Sequence, residues 1–319
     1  MSRDALAERV LEGDRRALAQ VISLVEDGGP GLSSVMRELY PHTGSAFSVG
    51  VTGAPGAGKS SLTAALVKKA RAEGSSVGVL AVDPSSPFTG GALLGDRVRM
   101  QAHATDQAVF IRSMATRGHL GGIALATPEA MRALDAGGID LIIVETVGVG
   151  QAEVRVADSC DTVLVVVNPG WGDAVQVAKA GLLEVADIFV LNKADRDGTR
   201  EAERELKGML DYASLERRPE IVRTVAVKEE GIEELWGALA RHREFLDGGL
   251  LTARRRRRAV VEIKDIALAR YRSGLENRAG DLIEELAADV EARRCDPYEA
   301  AERLAEARES LHGSRSPQS

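Results

Sequence analysis

One loop, GAPGAGKSS at Gly53–Ser61, constrains the fold of this chain more than any other feature of its sequence. It fits the pattern G-x-x-x-x-G-K-[ST] and lies between an apolar run, SVGVT, and a helical run, SLTAALVKKA. The glycines allow the backbone to wrap with its N–H groups facing a phosphate, and the following helix adds the positive end of its dipole. A glycine-rich turn could match by chance, but the strand–loop–helix context argues against it. We therefore expect a phosphate-binding loop in an α/β domain.

Individual residues of this phosphate loop have distinct predicted roles. Lys59 is a predicted catalytic residue because its ammonium group would reach the β- and γ-phosphates, and the Ser60 hydroxyl would ligate Mg²⁺. The residues predicted to bind nucleotide here are Gly53, Ala54, Pro55, Gly56, Ala57, Gly58, Lys59, Ser60 and Ser61.

A second motif, NKAD at Asn192–Asp195, predicts the base of the nucleotide. The Asp195 carboxylate would accept hydrogen bonds from the ring N–H and the exocyclic amine of guanine, whereas adenine would leave it facing an acceptor. Asn192 and Lys193 are the other two residues of this base loop that are predicted to bind the nucleotide. The aliphatic stem of Lys193 would pack along the base. Four residues alone are a weak match, and a polar turn is the alternative. Because the motif follows an apolar run downstream of the phosphate loop, the combination predicts a GTPase that binds GTP and GDP.

A third base-contacting loop is expected after the last strand. GTPases usually have Ser-Ala-x at this place, whereas this chain has Thr224-Val225-Ala226-Val227. A backbone N–H of Ala226 or Val227 could still bind the guanine oxygen. We therefore expect guanine specificity despite the different side chains.

Three acids are candidate Mg²⁺ ligands. Glu145 ends the apolar run LIIVE, Asp83 ends VGVLAVD, and Asp96 lies in GGALLGDRVRM. Mg²⁺ takes oxygen ligands in octahedral geometry and usually keeps several waters, so these acids would bind it partly through water. Glu145 and Asp83 are also predicted catalytic residues, and Gly148 of the E-x-x-G pattern could turn its N–H toward the γ-phosphate. For Asp83 and Asp96, helix capping or a turn is the alternative.

The residue that follows Gly148 bears on the rate of hydrolysis. Many GTPases place a glutamine there to orient the attacking water. This chain has Val149 at that position, and Gln151 lies two residues later. We therefore expect slow intrinsic hydrolysis that a partner can change.

The apolar runs of residues 43–247 predict that this segment forms an α/β GTPase domain. Most candidate strands are continuous rather than alternating apolar runs, which indicates burial on both faces and hence a mostly parallel sheet flanked by helices. The candidate strands are Phe47–Thr52, Val77–Val82, Val109–Arg112, Leu141–Glu145, Val163–Asn168, Ile188–Asn192 and Ile221–Val225.

Helical segments flank the predicted GTPase domain on both sides. Residues 1–42 have apolar side chains at helical spacing, with Asp14 and Gly28 as end signals, and form a predicted helical extension. Residues 248–319 form a predicted helical arm, in which Asp296-Pro297 starts the last helix. The arm has too few helices to bury its own apolar side chains. A partner subunit or the nucleotide domain is therefore expected to cover them.

Composition excludes several classes of protein. The chain has 319 residues and a net charge of −7, and its two cysteines, Cys160 and Cys295, form no CxxC motif. We therefore expect no disulfide or zinc framework. No window resembles a signal peptide or a membrane span, which predicts a cytoplasmic protein that does not act at a membrane. The run Arg254–Arg258 lacks interleaved aromatics, so a solvated face or inter-segment salt bridges are favoured over nucleic-acid binding.

Longer motifs, most of them between these loops, resemble those of one family. The segments GAPGAGKSSL, AVDPSSPFTGGALLGDRVRM, FIRSMATRGHLGG, ETVGVGQAE, NPGWGDAVQ and LNKAD occur in this order. They closely resemble the MeaB/ArgK group of P-loop GTPases, which are relatives of the metallochaperone GTPases. The resemblance covers nearly the whole chain, and its long middle motifs are far more specific than the phosphate loop.

This resemblance implies a GTP-hydrolysing G-protein chaperone for an adenosylcobalamin-dependent acyl-CoA mutase, most often methylmalonyl-CoA mutase. Such proteins couple GTP binding and hydrolysis to cofactor loading and to protection of the mutase. They are typically homodimers whose C-terminal helices form a dimerisation arm. The positions that match nucleotide and Mg²⁺ sites of the family are Lys59, Ser60, Asp83, Asp96 and Glu145.

The resemblance further implies two switch regions. Val147–Glu153 matches the second switch, and Asn168–Lys179 matches an additional loop that touches the mutase. For the additional loop, a plain strand–helix connection in which Trp171 only packs is an equal alternative. The candidate switch and partner-contacting residues are Val147, Gly150, Gln151, Gln176 and Lys179.

Two other functions are alternatives to the mutase chaperone. Insertion of nickel into a metalloenzyme is the task of the metallochaperone relatives, but the Cys/His motifs usual for that task are missing from this sequence. An ATP-dependent kinase or transport ATPase is the second alternative, and the NKAD motif argues against it. 

Overall fold

A parallel sheet of seven strands lies at the centre of the part of the chain that the structure describes. The structure is a computed structural model, and it describes residues 4–82, 105–114, 123–146, 159–170, 183–212 and 217–313. The strands are β1 (Phe47–Gly53), β2 (Val77–Val82), β3 (Val109–Met114), β4 (Leu141–Thr146), β5 (Thr162–Val167), β6 (Ile188–Asn192) and β7 (Glu220–Thr224). The predicted strands are confirmed, and their observed ends differ from the predicted ones by at most two residues.

Helices flank this sheet, which confirms the predicted α/β class with helical termini. Those in the described residues are α1 (Asp4–Leu11), α2 (Arg15–Asp27), α3 (Leu32–Leu39), α4 (Lys59–Ala72), α5 (Ile123–Ala136), α6 (Thr199–Tyr212), α7 (Ile232–Asp247), α8 (Leu250–Glu291) and α9 (Pro297–Gly313). Short 3₁₀ segments lie at Tyr40–His42 and Ala226–Lys228. Within the described ranges, no helix is both long and apolar enough to cross a membrane.

Both faces of the sheet are buried, as its continuous apolar strands require. Successive side chains of a strand point to opposite faces, so neighbouring residues of β4 enter different cores. Ile143 lies in a core with Leu66 of α4 and Leu235 of α7, whereas Ile142 lies in a core with Leu134 of α5. Neighbouring side chains of β4 therefore pack against helices on opposite sides of the sheet.

The N-terminal helices share a core with the sheet. Asp14 caps α2 by accepting hydrogen bonds from the backbone N–H groups of Arg16 (2.8 Å) and Ala17 (3.2 Å). Gly28 ends α2 in the left-handed conformation, with φ 59°. Val21 of α2 belongs to the core that contains the β4 residues facing α5. The predicted helical segment thus packs on the sheet directly.

The chain divides into two compact units, Met1–Glu262 and Ile263–Ser319. The first unit contains the sheet. In the second, Asp296 caps α9 through the N–H groups of Tyr298 (2.8 Å) and Glu299 (3.1 Å), as Asp296-Pro297 predicts. The boundaries drawn from sequence after residues 42 and 247 stay predictions.

The arginine run at the start of α8 makes ion pairs with two acids, the buried Asp161 and the half-buried Asp187. Arg255 and Arg258 pair with Asp161, which precedes β5, at 2.7 and 2.8 Å. Arg254 pairs with Asp187, which precedes β6, at 2.9 Å. The other two arginines of the run are exposed. The run therefore supplies inter-segment salt bridges, one of the two interpretations that the sequence favours.

The strand order identifies the point of the sheet where a ligand is expected. The order is β3-β2-β4-β1-β5-β6-β7, so β1 lies between β4 and β5. The chain builds one side of the sheet from β2 to β4 and then crosses to the other side at β5. In parallel sheets, ligands bind beyond the carboxyl ends of the strands at such a reversal. The phosphate loop follows β1 at this point.

Candidate functional site

The phosphate loop connects β1 to α4 through backbone that requires glycine at two positions. Gly53 has φ 141° and Gly58 has φ 97°, values that residues with a Cβ rarely adopt. A Cβ on Gly53 would collide with the carbonyl group of Val166 on β5, and a Cβ on Gly58 would collide with Nδ2 of Asn192. The loop is therefore packed closely against both β5 and the base loop.

Lys59, the first residue of α4, is buried beneath the phosphate loop and is only 6% exposed. Its Nζ donates hydrogen bonds to the carbonyl oxygens of Gly53 (2.7 Å) and Ala54 (3.1 Å). These two bonds orient the ammonium group within the phosphate loop. The loop consequently holds a positive charge at the centre of its own curve, where an anionic phosphate is attracted.

Ser60 and Glu145 bring a hydroxyl and a carboxylate together at the start of α4. Ser60 Oγ donates to Glu145 Oε1 at 2.6 Å. Glu145 is 4% exposed, and it lies on β4 opposite Val51 of β1 and Ala81 of β2. This central position in the sheet fixes the carboxylate beside the phosphate loop. Oxygen atoms of this kind are the ligands that Mg²⁺ prefers, so the pair fits a magnesium ion chemically.

Asn192 joins the three predicted nucleotide-contacting loops. Its Nδ2 donates to the carbonyl oxygen of Ala57 in the phosphate loop at 2.8 Å. Its Oδ1 accepts from Thr224 Oγ1 and from the N–H of Ala226, both at 3.1 Å. An amide side chain can donate and accept at the same time, so one buried residue fixes three segments. The three loops are therefore adjacent in the folded protein.

Lys193 forms a second connection between the base loop and the phosphate loop. Its Nζ donates to the carbonyl oxygen of Gly56 at 2.6 Å, and its backbone is left-handed with φ 57°. That conformation costs a non-glycine residue about 1–2 kcal/mol. Neighbouring contacts hold it, because Ala194 N donates to Thr224 O at 3.0 Å and Thr199 Oγ1 donates to Ala194 O at 3.2 Å. The base loop is thus tied to β7 and to α6.

Asp195 is an exposed carboxylate that is paired with Lys228. Lys228 Nζ lies 2.9 Å from Asp195 Oδ2, and the two side chains are 53% and 40% exposed. The hydrogen bond from Lys228 lowers the pKa of Asp195, and the same bond raises the pKa of Lys228. Asp195 is therefore ionised at neutral pH, the form in which both carboxylate oxygens act as acceptors.

The third loop runs from β7 into the 3₁₀ segment Ala226–Lys228. The N–H of Ala226 is engaged with Asn192, whereas the side chain of Val227 is 79% exposed. Lys228 N donates to Val225 O at 2.8 Å and closes the turn. The closed turn places Lys228 within reach of Asp195 in the base loop.

The remaining predicted site residues lie outside the described residues. They are Asp83, Asp96, Val147, Gly148, Gly150, Gln151, Gln176 and Lys179, and Val149 lies outside as well. Of the three acids predicted to bind Mg²⁺, Glu145 is the one within the described ranges. The roles of all these residues stay predictions.

Lys228 contacts the predicted base loop, and no motif in the sequence indicates this contact. It follows Asp195 by 33 positions, and only the fold brings the two side chains together. A basic residue directly after the third loop is a signal that could have found it. That signal is weak, because exposed lysines are common on protein surfaces.

A parallel sheet with the phosphate loop after its central strand, and with a base loop joined to it by Asn192, defines the protein as a P-loop GTPase. The chain belongs to the MeaB family, since the family model described as "Methylmalonyl Co-A mutase-associated GTPase MeaB" matches residues 18–278. The predicted family and the predicted GTPase activity are confirmed.

Individual relatives agree with this family. A protein of Pyrococcus abyssi that is named as a GTPase is 52% identical over 309 residues, covering 94% of this chain and 95% of the relative. The mouse methylmalonic aciduria type A homolog, a mitochondrial protein, is 36% identical over 273 residues, covering 79% of this chain and 66% of the relative. A crystal structure titled "LAO/AO transport system kinase" has a TM-score of 0.72 and 28% identity, covering 95% of this chain and 96% of that chain.

Proposed function

We propose that this GTPase binds guanine nucleotide across its three adjacent loops and assists an adenosylcobalamin-dependent acyl-CoA mutase. In this proposal, GTP binding and hydrolysis control the loading of the cofactor into the mutase and the protection of the mutase. The hydrolysis converts GTP and water into GDP and phosphate. The family description, which names association with methylmalonyl-CoA mutase, supports a client of this class.

The observation that carries the nucleotide part of the proposal is the position of Asn192. Its amide contacts the phosphate loop through Ala57 and the third loop through Thr224 and Ala226. A guanine base bound at Asp195 and a phosphate chain bound at the phosphate loop would therefore be held by one connected unit. Such preorganised contacts reduce the rearrangement that binding requires.

Lys59 and the N–H groups of the phosphate loop would supply the electrostatic part of the reaction. In phosphoryl transfer the protein mainly positions the groups and stabilises the charge on the transferred phosphoryl oxygens. Lys59 is oriented by two carbonyl groups of the phosphate loop, which keep its ammonium group beside the predicted phosphate position. Val149, in place of the usual glutamine, still predicts slow hydrolysis by the isolated protein.

Ser60 and Glu145 would hold Mg²⁺, together with Asp83 and Asp96. Bound magnesium would neutralise charge on the β- and γ-phosphates. The Ser60 hydroxyl would bind the ion directly, while the Glu145 carboxylate would fix that hydroxyl or a bound water. Burial of Glu145 on the central strand keeps its carboxylate in this position.

Substitution of Asp195 tests the assignment of the base. Asp195→Asn places an amide where guanine needs an acceptor, so GDP affinity should fall by about tenfold or more, since a lost charged hydrogen bond leaves a polar group unpaired. Xanthosine diphosphate, whose ring presents a carbonyl in place of the amine, should bind the variant better than it binds the wild type. Calorimetry with GDP, ADP and xanthosine diphosphate measures this. Equal binding of GDP and ADP by the wild type, or unchanged discrimination in the variant, would contradict the assignment.

Recovery of a client tests the chaperone role. The tagged protein, loaded with GDP or with a non-hydrolysable GTP analogue, should retain a cobalamin-dependent mutase from cell extract. The purified mutase should then bind adenosylcobalamin to a different extent when the GTPase and GTP are added, which absorbance spectroscopy measures. Lys59→Ala is the matched control, because it should remain folded without coupling to GTP. Absence of any effect on cofactor binding, with GTPase activity intact, would overturn the chaperone proposal.

A homodimer through the C-terminal helices is part of the same proposal. In the second compact unit, α8 exposes the apolar side chains of Ile263, Leu268 and Tyr271. Exposed apolar side chains that lie close together on one helix often mark an interface. Sedimentation analysis should give the mass of two chains, and a single-chain mass at micromolar concentration would contradict the dimer.

A further inference from the structure

The third loop presents a lysine to the carboxylate that is proposed to bind the base. Lys228 Nζ lies 2.9 Å from Asp195 Oδ2, and both side chains are exposed. We propose that Lys228 is an internal competitor of guanine, which holds Asp195 in the nucleotide-free protein and releases it when the base binds. The inference rests on the proposed base-binding role of Asp195. It adds a residue that controls how fast nucleotide is released.

The backbone of the third loop holds Lys228 in this position. Lys228 N donates to Val225 O at 2.8 Å within the 3₁₀ segment. Val225 also pairs with Glu230 in an antiparallel bridge, and Glu229 between them has a left-handed φ of 59°. These constraints close the turn on both sides of Lys228. The backbone of the turn therefore places Lys228 within reach of Asp195, and the ion pair completes the contact.

The neighbouring residue of the same turn forms an ion pair in a different direction. Glu229 accepts from Lys68 Nζ of α4 at 2.6 and 2.8 Å. The Lys68 pair ties the turn to α4, whereas the Lys228 pair ties it to the base loop. Both pairs are exposed to a similar degree. Lys68 is thus a matched control for Lys228, because it bonds the turn rather than a residue proposed to contact nucleotide.

Competition follows from the oxygen atoms that each partner needs. Guanine offers two parallel N–H groups to a carboxylate, and bidentate binding uses both oxygens. Lys228 already occupies Oδ2 of Asp195. Binding of the base therefore exchanges one charge-assisted hydrogen bond for another, and Lys228 can take the carboxylate again when the base moves out. This recapture accelerates release.

Two other charged residues lie near the ion pair of Lys228 and Asp195. Arg196 also interacts favourably with Asp195, and Glu230 interacts favourably with Lys228. Removal of the Lys228 charge therefore leaves Asp195 ionised beside a second cation. Because exposed ion pairs contribute little, we expect a change of about two- to fivefold in the rate of nucleotide release.

The test compares Lys228→Met with Lys68→Met in the full-length protein. Release of fluorescently labelled GDP, measured by stopped flow in low salt, should be about two- to fivefold slower for Lys228→Met than for the wild type. Lys68→Met should release at the wild-type rate. Screening by about 1 M salt should bring the Lys228→Met and wild-type rates together, since salt weakens exposed pairs. A purely structural role of Lys228 would not produce this convergence.

The outcomes separate this inference from the base assignment. Unchanged or faster release from Lys228→Met, with a thermal melting curve like that of the wild type, would overturn the competitor role alone. If Asp195→Asn keeps the guanine preference of the wild type, the base assignment fails, and the competitor role fails with it. In the Asp195→Asn background, Lys228→Met should have no further effect on release.

Discussion

The two ends of the parallel strands carry charge in different ways. At their amino ends, Asp161 before β5 is buried, Asp187 before β6 is half-buried, and both are paired with arginines of α8. At their carboxyl ends, Lys59 is held by backbone carbonyl groups, and Asp195 is held by one exposed lysine. Among these residues, the acids at the amino ends are bonded to arginines of α8, whereas Lys59 and Asp195 lie in the two loops that are predicted to bind the ligand.

The network around Asp161 shows how completely an acid at the amino ends is engaged. Its carboxylate accepts from Arg255 at 2.7 Å, from Arg258 at 2.8 Å and from the N–H of Ser48 at 3.1 Å, and its side chain is 2% exposed. Burial raises the pKa of Asp161, but the hydrogen bonds and charges of the two arginines outweigh burial, so the pKa lies below its ordinary value.

Asp187 has a similar environment with a histidine in place of the second arginine. It accepts from Arg254 at 2.9 Å and from the N–H of Val163 at 2.8 Å. His242 Nε2 lies 3.2 Å from the same carboxylate, while its Nδ1 lies 2.8 Å from Thr162 Oγ1. Burial raises the pKa of Asp187, and the hydrogen bonds of His242 and Arg254 lower it further than burial raises it. Both acids thus link α8 to the sheet.

This comparison teaches that charge at the two ends serves different purposes. Asp161 and Asp187, whose charges stabilise the fold, are buried and half-buried and have several partners each, because a charge removed from water without partners is costly. The charges that are predicted to act on a ligand, Lys59 and Asp195, bond to backbone carbonyl groups and to an exposed lysine, and a phosphate or a base can replace such bonds. Substitutions of the charged residues at the amino ends should therefore change stability, and substitutions of the charged residues at the carboxyl ends should change nucleotide chemistry.

The largest expected effect is that of Lys59→Ala. Loss of the ammonium group should lower the rate of GTP hydrolysis by about 10²-fold or more, the size seen when one preorganised donor to a transition state is removed. Single-turnover hydrolysis measures the rate, and circular dichroism should show a folded protein. Lys68→Ala on the same helix is the control and should hydrolyse GTP normally. A normal rate of hydrolysis for Lys59→Ala would contradict the proposal that charges at the carboxyl ends of the strands act on the nucleotide.

Asp161→Asn should have the largest effect on stability. Removal of one partner from a buried ion pair leaves Arg255 and Arg258 without their anion, and we expect a loss of about 2–4 kcal/mol in the free energy of unfolding. Urea unfolding measures this loss. Arg257→Ala, an exposed arginine of the same run, should stay within about 0.5 kcal/mol of the wild type. Equal stability of both variants would show that the α8 ion pairs do not hold the fold.

The pH dependence of Asp161→Asn has a sign that follows from the lowered pKa. A carboxyl group whose pKa is lower in the folded state stabilises the protein above its unfolded pKa of about 3.9 and loses that effect as pH falls. The stability difference between wild type and variant should be constant above about pH 5 and should shrink below about pH 4. A difference that grows on acidification would contradict the assigned pairing.

A smaller effect is expected from a pair of glycine substitutions in the phosphate loop. Gly58→Ala would press a Cβ against Asn192 Nδ2 at φ 97°, whereas Gly56→Ala at φ 75° meets no atom within 4 Å. Gly56→Ala should cost about 1–2 kcal/mol from backbone strain alone. Gly58→Ala should cost about 1 kcal/mol more than Gly56→Ala, because a tightly packed neighbour must move. Thermal unfolding of the nucleotide-free proteins measures both, and equal losses would contradict the contact between the loops.

Much of the fold and part of the site could be predicted from local sequence. The strands were predictable because each is a short β-branched apolar run, and the ends of α2 were predictable because Asp14 and Gly28 are standard end signals. Glu145 could be placed at the end of its strand because it follows the apolar run Leu141–Val144 directly. The partners of Arg255 were not predictable, because Asp161 lies 94 positions away and the pairing depends on how α8 packs.

The sequence by itself determined the loops, their glycines and the class of nucleotide, since phosphate and guanine each require particular backbone and side-chain groups at fixed spacing. Tertiary structure alone decided which distant residues meet at these loops. Asn192 reaches Ala57 across 135 positions, and Lys228 reaches Asp195 across 33, only because parallel strands bring their carboxyl ends to one edge. Local motifs fix chemistry within a few residues, whereas the register of a sheet fixes which chemistries become neighbours.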